Sequence, residues 1–230
     1  MRFTSKKIIV MERIFAIGDI HGCSKTFEKL LTDKIQLTKE DNIYCIGDYI
    51  DRGDDSKGVI DLILKLRAED YHIYTLRGNH EQMMLDAVND KKSLNLWLDN
   101  GGKNTLKSFG IKSQDELPQE YFSFLKETEF YLQKDNYIFV HAGLNFRNEN
   151  LFEDKEAMLW ERDFFPQQPA LEDRLLIHGH TPIPLTFILK QKGNCINIDG
   201  GCVYRNRPHF GHLVAIDLKK REFLIEENCE

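Results

Sequence analysis

The sequence lacks the patterns of membrane, secreted and thiolate-metal proteins. No apolar run approaches the about 20 residues that a transmembrane helix needs, and the early run at 8–11 ends at Glu12 and Arg13 with no small-residue cleavage site after it. The five cysteines are odd in number and form no CxxC pair, which argues against a zinc knuckle or a redox pair. We therefore expect a cytoplasmic protein with reduced thiols and no membrane partner.

Excess positive charge, internal repeats and Ser/Gly linkers are also absent. Lys and Arg number 31 against 37 Asp and Glu, a net charge of −6, so bulk binding of nucleic acid is not expected, although a local basic pocket for a small anion is compatible with this balance. Hydrophobic residues make up 41% and charged residues 30%, as in soluble globular proteins. We predict one domain over 1–230, in which 1–10 form an extension before the first strand and Met11 is an alternative start.

Short apolar or β-branched runs predict buried strands. They lie at 14–17, 43–46, 72–76, 137–140, 175–177, 195–198 and 213–216. Helical spacing of apolar residues separates the first three runs, with one helix after Ser24 as N-cap and another after Ser56. This alternation predicts an α/β fold with parallel strands.

The rest of the chain divides into a helical middle and a second group of strands. Residues 82–133 are predicted to be mostly helical, with breaks at Gly101-Gly102 and at Pro118. The last third returns to strands. A second sheet would explain this return, but periodicity alone does not decide between a second sheet and a continued first one.

Polar residues cluster where the predicted strands end. The clusters are 18–22 (GDIHG), 47–53 (GDYIDRG), 77–81 (RGNHE), 141–143 (HAG) and 178–181 (HGHT). Ligands of open α/β sheets bind beyond the carboxyl ends of the strands, so these strands would bring Asp, Asn and His side chains to one rim. Each cluster alone is typical of an ordinary turn, but turns do not require histidine, and the clusters together predict a site.

This set of side chains is typical of a divalent-cation site. Carboxylate, amide oxygen and imidazole without thiolate suit manganese, iron or zinc. Six side chains are too many for one catalytic ion that keeps an open position, whereas two ions sharing a carboxylate about 3.5–4 Å apart would use them all. We expect two divalent ions, with manganese ahead of iron and zinc.

The order DxH, GDxxDRG, GNHE resembles the signature of the phosphoprotein phosphatase (PPP) family of calcineurin-like binuclear metallophosphoesterases, in its compact bacterial and phage form. The gaps at 22–46 and 54–77 suit that family, and the later HAGL and HGHT blocks are similar to its remaining metal motifs. The resemblance spans residues 19–180. It implies an αββα sandwich with the active site at the carboxyl ends of the strands.

The resemblance also implies a role for each motif residue. The metal ligands would be Asp19 and His21 for the first ion, Asp48 as the bridge, and Asn79, His141 and His180 for the second ion. His80 would be the general acid that protonates the leaving alkoxide, and Asp51 would orient its imidazole. A salt bridge to Arg52 is the plainer alternative for Asp51, and Glu81 is expected to be structural.

Three arginines are candidates for binding the phosphoryl oxygens. They are Arg52, Arg77 and Arg162, the last in a Trp-x-Arg segment that compact bacterial members often carry. A surface salt bridge with Glu161 or Asp163 is the alternative for Arg162. His178 is expected to be structural or to support a ligand. Asp199 and Tyr204 could border the pocket or have ordinary roles in a turn, and the sequence does not decide between these interpretations.

The activity implied by the resemblance is metal-dependent hydrolysis of a phosphomonoester, as in a serine/threonine protein phosphatase. Hydroxide held by the two metals would attack phosphorus in line, and the substrate would be a phosphorylated protein or a small phosphoester.

One alternative is a bis(5'-nucleosyl)-tetraphosphatase, although symmetrical members of that group typically have a non-acidic residue at the position of Asp51. The other is a non-catalytic phosphoprotein-binding scaffold, which would not need every ligand and His80. The sequence makes no prediction of oligomeric state.

Overall fold

Within the residues that the structure describes, nine strands form two stacked sheets. The computed structural model describes residues 12–163 and 171–230. The strands are β1 (Ile14–Ile17), β2 (Asn42–Cys45), β3 (His72–Thr75), β4 (Tyr131–Lys134), β5 (Tyr137–Val140), β6 (Leu175–His178), β7 (Cys195–Asn197), β8 (His212–Asp217) and β9 (Glu222–Glu227). The predicted extension at 1–10 lies outside the described residues, and the single domain over 1–230 stays a prediction.

Helices flank the sheets and supply most of the remaining regular structure. They are α1 (Ser24–Lys29), α2 (Ser56–Ala68), α3 (Asn79–Asp86), α4 (Lys91–Trp97), α5 (Lys103–Phe109), α6 (Gln119–Glu127), α7 (Lys155–Trp160) and α8 (Leu185–Ile188). Wider π-type turns extend α1 over Leu30–Ile35 and join α4 to α5 over Leu98–Gly102, and a 3₁₀ turn covers Gln114–Glu116. Within the described ranges, no helix has both the length and the apolar character to cross a bilayer.

The strands divide into a five-stranded and a four-stranded sheet. The first has the order β3-β2-β1-β8-β9 and the second the order β4-β5-β6-β7. Strands β1, β2 and β3 are parallel, as are β5, β6 and β7, while β4, β8 and β9 pair antiparallel with their neighbours. The return to strands in the last third therefore supplies β6 and β7, which are half of the second sheet, and completes the first sheet with β8 and β9.

Alternating side chains of the strands divide the core into layers. Phe15 and Ile17 of β1 pack in the helical layer with Phe27 of α1, because successive residues of a strand point to opposite faces. Ile14 of β1 points the other way, into the cluster between the sheets, where it shares a core with Phe139 of β5.

The second sheet repeats this alternation on its own outer face. Ile138 and Val140 of β5 pack with Met158 of α7 in a third apolar cluster. The layers therefore run helix, sheet, sheet, helix. The predicted αββα sandwich is confirmed.

The structure corrects the predicted elements at the sheet edges and in the helical middle. The sequence predicts a mostly helical region over 82–133, but its last residues are extended, because β4 begins at Tyr131. Both β4 and β9 are edge strands with mostly half-buried side chains, so their apolar signal is weak. The helix α5 lies within the region predicted to be mostly helical and begins directly after the break predicted at Gly101-Gly102.

The helix starts also differ from the prediction by one residue. Asp55 rather than Ser56 caps α2, since its carboxylate accepts the backbone N–H of Gly58 at 2.9 Å. Cys23 occupies the N-cap position of α1, and Ser24 is the first helical residue.

Stacking of two rings across the sheets should contribute much of the stability of the sandwich. Phe139 lies fully buried against Tyr44 of β2, with ring centroids 4.1 Å apart. We expect Phe139→Ala to lower the free energy of unfolding by about 3–5 kcal/mol, through lost burial and an unfilled cavity. Urea unfolding followed by circular dichroism measures this loss.

A matched control is Phe187→Ala, because Phe187 is 63% exposed and its removal should change stability by less than about 0.5 kcal/mol. Equal losses for the two variants would contradict the proposed role of the ring stack.

Candidate functional site

The loops that leave the parallel strands meet at one rim of the sandwich, and backbone hydrogen bonds join them. The N–H of His21, after β1, donates to the carbonyl oxygen of Asp48, after β2, at 2.8 Å. The N–H of Gly179, after β6, donates to the carbonyl oxygen of His141, after β5, at 2.8 Å. Each of these bonds joins two loops of one sheet, and Nδ1 of His141 lies 3.0 Å from the carbonyl oxygen of Ile46, after β2. Both sheets therefore contribute to the same rim, as the strand-end argument predicts.

The backbone at this rim is strained at several non-glycine residues. Left-handed φ angles occur at His21 (47°), Asp48 (52°), Asp51 (70°), Arg52 (67°) and His180 (66°). Such conformations cost free energy and persist only where the surroundings enforce them.

Two glycines allow the rim loops to approach the carboxylates closely. A Cβ atom at Gly78 would lie 2.1 Å from Oδ1 of Asp48, and one at Gly179 would lie 2.2 Å from Oδ1 of Asp19. Any side chain at these positions would therefore displace the acidic groups of the rim.

Asp48 is shared by two groups of buried side chains that could each hold a cation. One group is His21, Asp48 and His80, and the other is Asp48, His141 and His180. The ligand atoms within each group lie within 4.8 Å of one another. Oδ2 of Asp48 is 3.3 Å from Nε2 of His21, and Oδ1 is 3.5 Å from Nε2 of His141. Asp48 is therefore the carboxylate that both groups contain, and its bridging role stays a prediction.

The second group has an arrangement of acceptor atoms that calls for a cation. Nε2 of His141 lies 3.0 Å from Oδ1 of Asn79, and Nδ1 of His180 lies 3.0 Å from the same oxygen. Because Nδ1 of His141 donates to the carbonyl oxygen of Ile46 at 3.0 Å, its Nε2 carries a lone pair in the neutral ring. Two acceptors facing each other repel unless a cation lies near both, so these residues fit a metal ion.

Burial keeps three of the four imidazoles in these groups in the form that ligates metal. It lowers the pKa of His21 well below its usual value, lowers that of His141, and lowers that of His180 to about 3. Neutral imidazole is the ligating species. These three histidines therefore need lose no proton to accept a cation at neutral pH.

Asp19 lies on the side of the rim next to His180. Its carboxylate accepts the backbone N–H of His180 at 3.2 Å. Burial raises the pKa of Asp19 well above its usual value, and the nearby carboxylates of Asp199 and Asp48 raise it further. Such crowding of buried anions is relieved by cations. Asp19 is not a member of the first ligand group, in which His80 stands instead.

His80 and Asp51 form a buried pair beside Asp48. Nδ1 of His80 lies 2.7 Å from Oδ2 of Asp51, and the backbone N–H of His80 donates to Oδ1 of Asp48 at 3.1 Å. Nε2 of His80 is buried without a hydrogen-bond partner among the described residues. Although burial opposes the charged ring, Asp48 and Asp51 raise the pKa of His80. The pair therefore places a polarised imidazole N–H at the rim.

Glu81 connects the loops after β2 and β3. Its carboxylate accepts the backbone N–H groups of Asp48, Tyr49 and Gly78, each at 2.8 Å. Burial raises the pKa of Glu81 to about 7. These contacts agree with the structural role that the sequence predicts for it.

The three predicted arginines are not equally placed. Nη1 of Arg52 donates to Nε2 of His21 at 2.5 Å, which brings this guanidinium directly to the first ligand group. Arg162 is exposed, and its charge helps to lower the pKa of His180, an effect smaller than those of burial and of His141. Among residues 12–163 and 171–230 its guanidinium forms no ion pair, so it is free to face the rim.

Arg77 does not reach the cluster. Its guanidinium donates to the hydroxyl of Thr128 at 3.1 Å, to the side-chain oxygen of Gln82 at 3.1 Å, and to the carbonyl oxygen of Lys126 at 2.8 Å. It also stacks on the ring of Phe130. In this arrangement the side chain of Arg77 caps the carboxyl end of α6, and its phosphate contact stays a prediction.

Two residues at the site lie outside the sequence motifs and could not be predicted from them. Nε1 of Trp97 donates to both oxygens of Asp51, at 3.0 Å each, and the hydroxyl of Thr105 donates to Oδ1 at 2.6 Å. Both come from the predicted helical middle. Of the undecided residues, Tyr204 has its ring 5.9 Å from the guanidinium carbon of Arg52, and Asp199 is buried near Asp19.

Two kinds of known protein are similar to this chain in sequence, a serine/threonine-protein phosphatase and a bis(5'-nucleosyl)-tetraphosphatase. The chain is 40% identical to serine/threonine-protein phosphatase 1 of Salmonella typhimurium over 89 residues, which are 39% of this chain and 38% of that protein's length. It is 26% identical to the asymmetrical bis(5'-nucleosyl)-tetraphosphatase of Oceanobacillus iheyensis over 244 residues, which cover 92% of this chain and 91% of that protein.

The fold is shared with a solved protein serine/threonine phosphatase from Saccharomyces cerevisiae. The TM-score is 0.61 at 17% identity, and the match covers 95% of this chain and 80% of that one. The sequence similarity to the Salmonella phosphatase agrees with the PPP resemblance of the motifs. The sequence profile of calcineurin-like phosphoesterases matches residues 12–221. The chain therefore belongs to the calcineurin-like phosphoesterase family.

Proposed function

We propose that this phosphoesterase hydrolyses phosphomonoesters with two divalent cations, in the manner of a serine/threonine protein phosphatase. The observation that carries the proposal is the carboxylate of Asp48, which is shared by two buried ligand groups and lies next to the His80–Asp51 pair. Shared carboxylates are typical of two-metal hydrolytic sites.

The residues of the rim would hold the cations in two places. Asp48 would contact both. His21 and Asp19 would hold the first, and the second would be held by Asn79, His141 and His180. When bound, two divalent ions would supply positive charge for the phosphoryl oxygens and would lower the pKa of a bound water. We propose manganese, since imidazole, amide and carboxylate ligands suit it.

The chain's own side chains supply the remaining steps. Arg52 would bind the phosphoryl oxygens with its guanidinium, whose fork matches their geometry, and Arg162 would approach them from the opposite side of the rim. Asp51 holds Nδ1 of His80, so Nε2 faces the rim and would donate a proton to the leaving oxygen. A protonated leaving group departs as a neutral alcohol, which lowers the barrier for poor leaving groups.

A bis(5'-nucleosyl)-tetraphosphatase is the second candidate, and two observations favour it. One is the near full-length similarity to the Oceanobacillus protein. The other is a cavity of about 430 Å³ beside Arg52, lined by Asn100, Val203 and Tyr204 among others, which has room for a larger leaving group. The acidic residue at position 51 still favours the phosphatase, because it completes the pair with His80.

Comparison of two substrates tests the proposal directly. With manganese supplied, we expect a higher kcat/KM for a phosphoserine peptide than for diadenosine tetraphosphate. Release of inorganic phosphate and chromatography of the nucleotide products measure the two reactions. A preference for diadenosine tetraphosphate would favour the second candidate, and failure to hydrolyse even p-nitrophenyl phosphate would revive the non-catalytic scaffold.

Removal of the shared charge should remove the metals. We expect Asp48→Asn to bind at most one manganese ion per chain and to lose activity, whereas the wild type binds two, because an amide cannot offset the repulsion between two cations. Calorimetric titration with manganese gives the stoichiometry.

Asp217→Asn is the matched control, since Asp217 is also buried but pairs with Phe15 at the opposite end of β1. Full occupancy in the Asp48 variant would count against the bridge.

Removal of the proton donor should spare the metals. We expect His80→Ala to lower kcat by about 10²–10⁴-fold, the contribution of a positioned general acid, and to retain two manganese ions. His72→Ala, at an exposed position on β3, should change neither quantity. Loss of a manganese ion from the His80 variant would identify His80 as a ligand of the first group rather than as the acid.

A further inference from the structure

A helical segment that contains none of the family motifs encloses the turn carrying Asp51 and Arg52. We call residues 97–108 the buttress segment; it comprises the end of α4, the Leu98–Gly102 turn and most of α5. Its side chains contact the turn and the start of α2 at several points. The contacting residues are Trp97, Asn104, Thr105 and Ser108.

The carboxylate of Asp51 is saturated by these contacts. Oδ1 accepts the indole N–H of Trp97 at 3.0 Å and the hydroxyl of Thr105 at 2.6 Å. Oδ2 accepts the same indole N–H at 3.0 Å and pairs with Nδ1 of His80 at 2.7 Å. Trp97, Asp51 and His80 are all fully buried. Rotation of the carboxylate would therefore break several hydrogen bonds without water to replace them.

The buttress segment also holds the backbone of the turn. The N–H of Asp51 donates to the hydroxyl oxygens of Thr105 at 2.9 Å and of Ser56 at 3.0 Å. The amide of Asn104 donates to the carbonyl oxygen of Arg52. Because Asp51 and Arg52 both have left-handed backbone angles, these bonds offset a conformation that L-residues avoid.

Two glycines make this close approach possible. A Cβ atom at Gly101 would lie 2.7 Å from the backbone nitrogen of Arg52, and one at Gly102 would lie 2.5 Å from the ring of Trp97. The indole can therefore reach Asp51 only because the turn after α4 has no side chains at these positions.

We infer that Trp97, assisted by Thr105, is a positioning residue for proton donation: its N–H fixes the Asp51 carboxylate so that His80 presents Nε2 to the leaving oxygen. The inference rests on the proposed function, because it presumes His80 as the acid. The indole N–H of Trp97 donates to Asp51, which belongs to neither ligand group. Its effect reaches the reaction through Asp51 alone.

The test compares two substrates that differ in their need for a proton. Dinitrophenolate leaves readily as an anion, whereas phenolate is a poor leaving group that depends on a general acid. We expect Trp97→Phe, which keeps an aromatic ring and removes the N–H, to lower kcat for phenyl phosphate about tenfold, a part of the full contribution of a general acid. We expect less than a twofold change for 2,4-dinitrophenyl phosphate, and an unchanged KM for both.

Two further variants make the result specific. Thr105→Val removes the other donor to Asp51 with little change of shape, and should show the same selective loss, so it also carries the test if Trp97→Phe does not fold. Ser108→Ala is the matched control within the buttress segment, because its hydroxyl accepts from the backbone of Lys57 and contacts Asp55 rather than Asp51. It should leave both substrates unchanged. Thermal melting and manganese stoichiometry establish that each variant is folded and loaded.

Equal losses on the two substrates, or no loss on either, would overturn the positioning role of Trp97. Absence of hydrolysis of both substrates by the manganese-loaded wild type is a different outcome, which would overturn the proposed function itself.

Discussion

The site depends on one buried anion that two sheets must share. Asp48 lies in the loop after β2 of the first sheet, and the histidines around it follow strands of both sheets. A buried charge without compensation is costly, so the surrounding structure must enforce its position. Glu81 binds the backbone on either side of it, and Gly78 lets the next loop approach its oxygens. The stacking of the two sheets brings the two ligand groups together around this carboxylate.

The histidines at this rim differ in pKa because their surroundings differ. His141 and His180 face other acceptors in a dry environment and stay neutral, which is the ligating form. His80 lies only one residue from Asn79 but faces the carboxylates of Asp48 and Asp51, which raise its pKa. This separation of pKa values agrees with the proposed division of the histidines into metal ligands and one proton donor. The buttress segment supports this separation, because it keeps Asp51 on His80.

The sequence was informative where function follows the ends of strands. Asp48 and His141 directly follow buried runs or a glycine after them, so the topology alone brings them to one rim. Arg77 also follows a strand, but its direction is set by acceptors near Thr128, which no local pattern reveals. The role of Trp97 could not be predicted for the same reason, because its hydrogen bond to Asp51 joins residues 46 positions apart in the sequence. Side-chain contacts between distant segments can be found only in the three-dimensional structure. The positions of polar residues at the ends of strands can be found in the sequence.

The most direct test of the shared carboxylate is an anomalous-scattering map from crystals of the protein grown with manganese. The account predicts two peaks about 3.5–4 Å apart, one on each side of the carboxylate of Asp48, with His21 next to the first and His141 next to the second. A single peak, or two peaks that do not both contact Asp48, would contradict it.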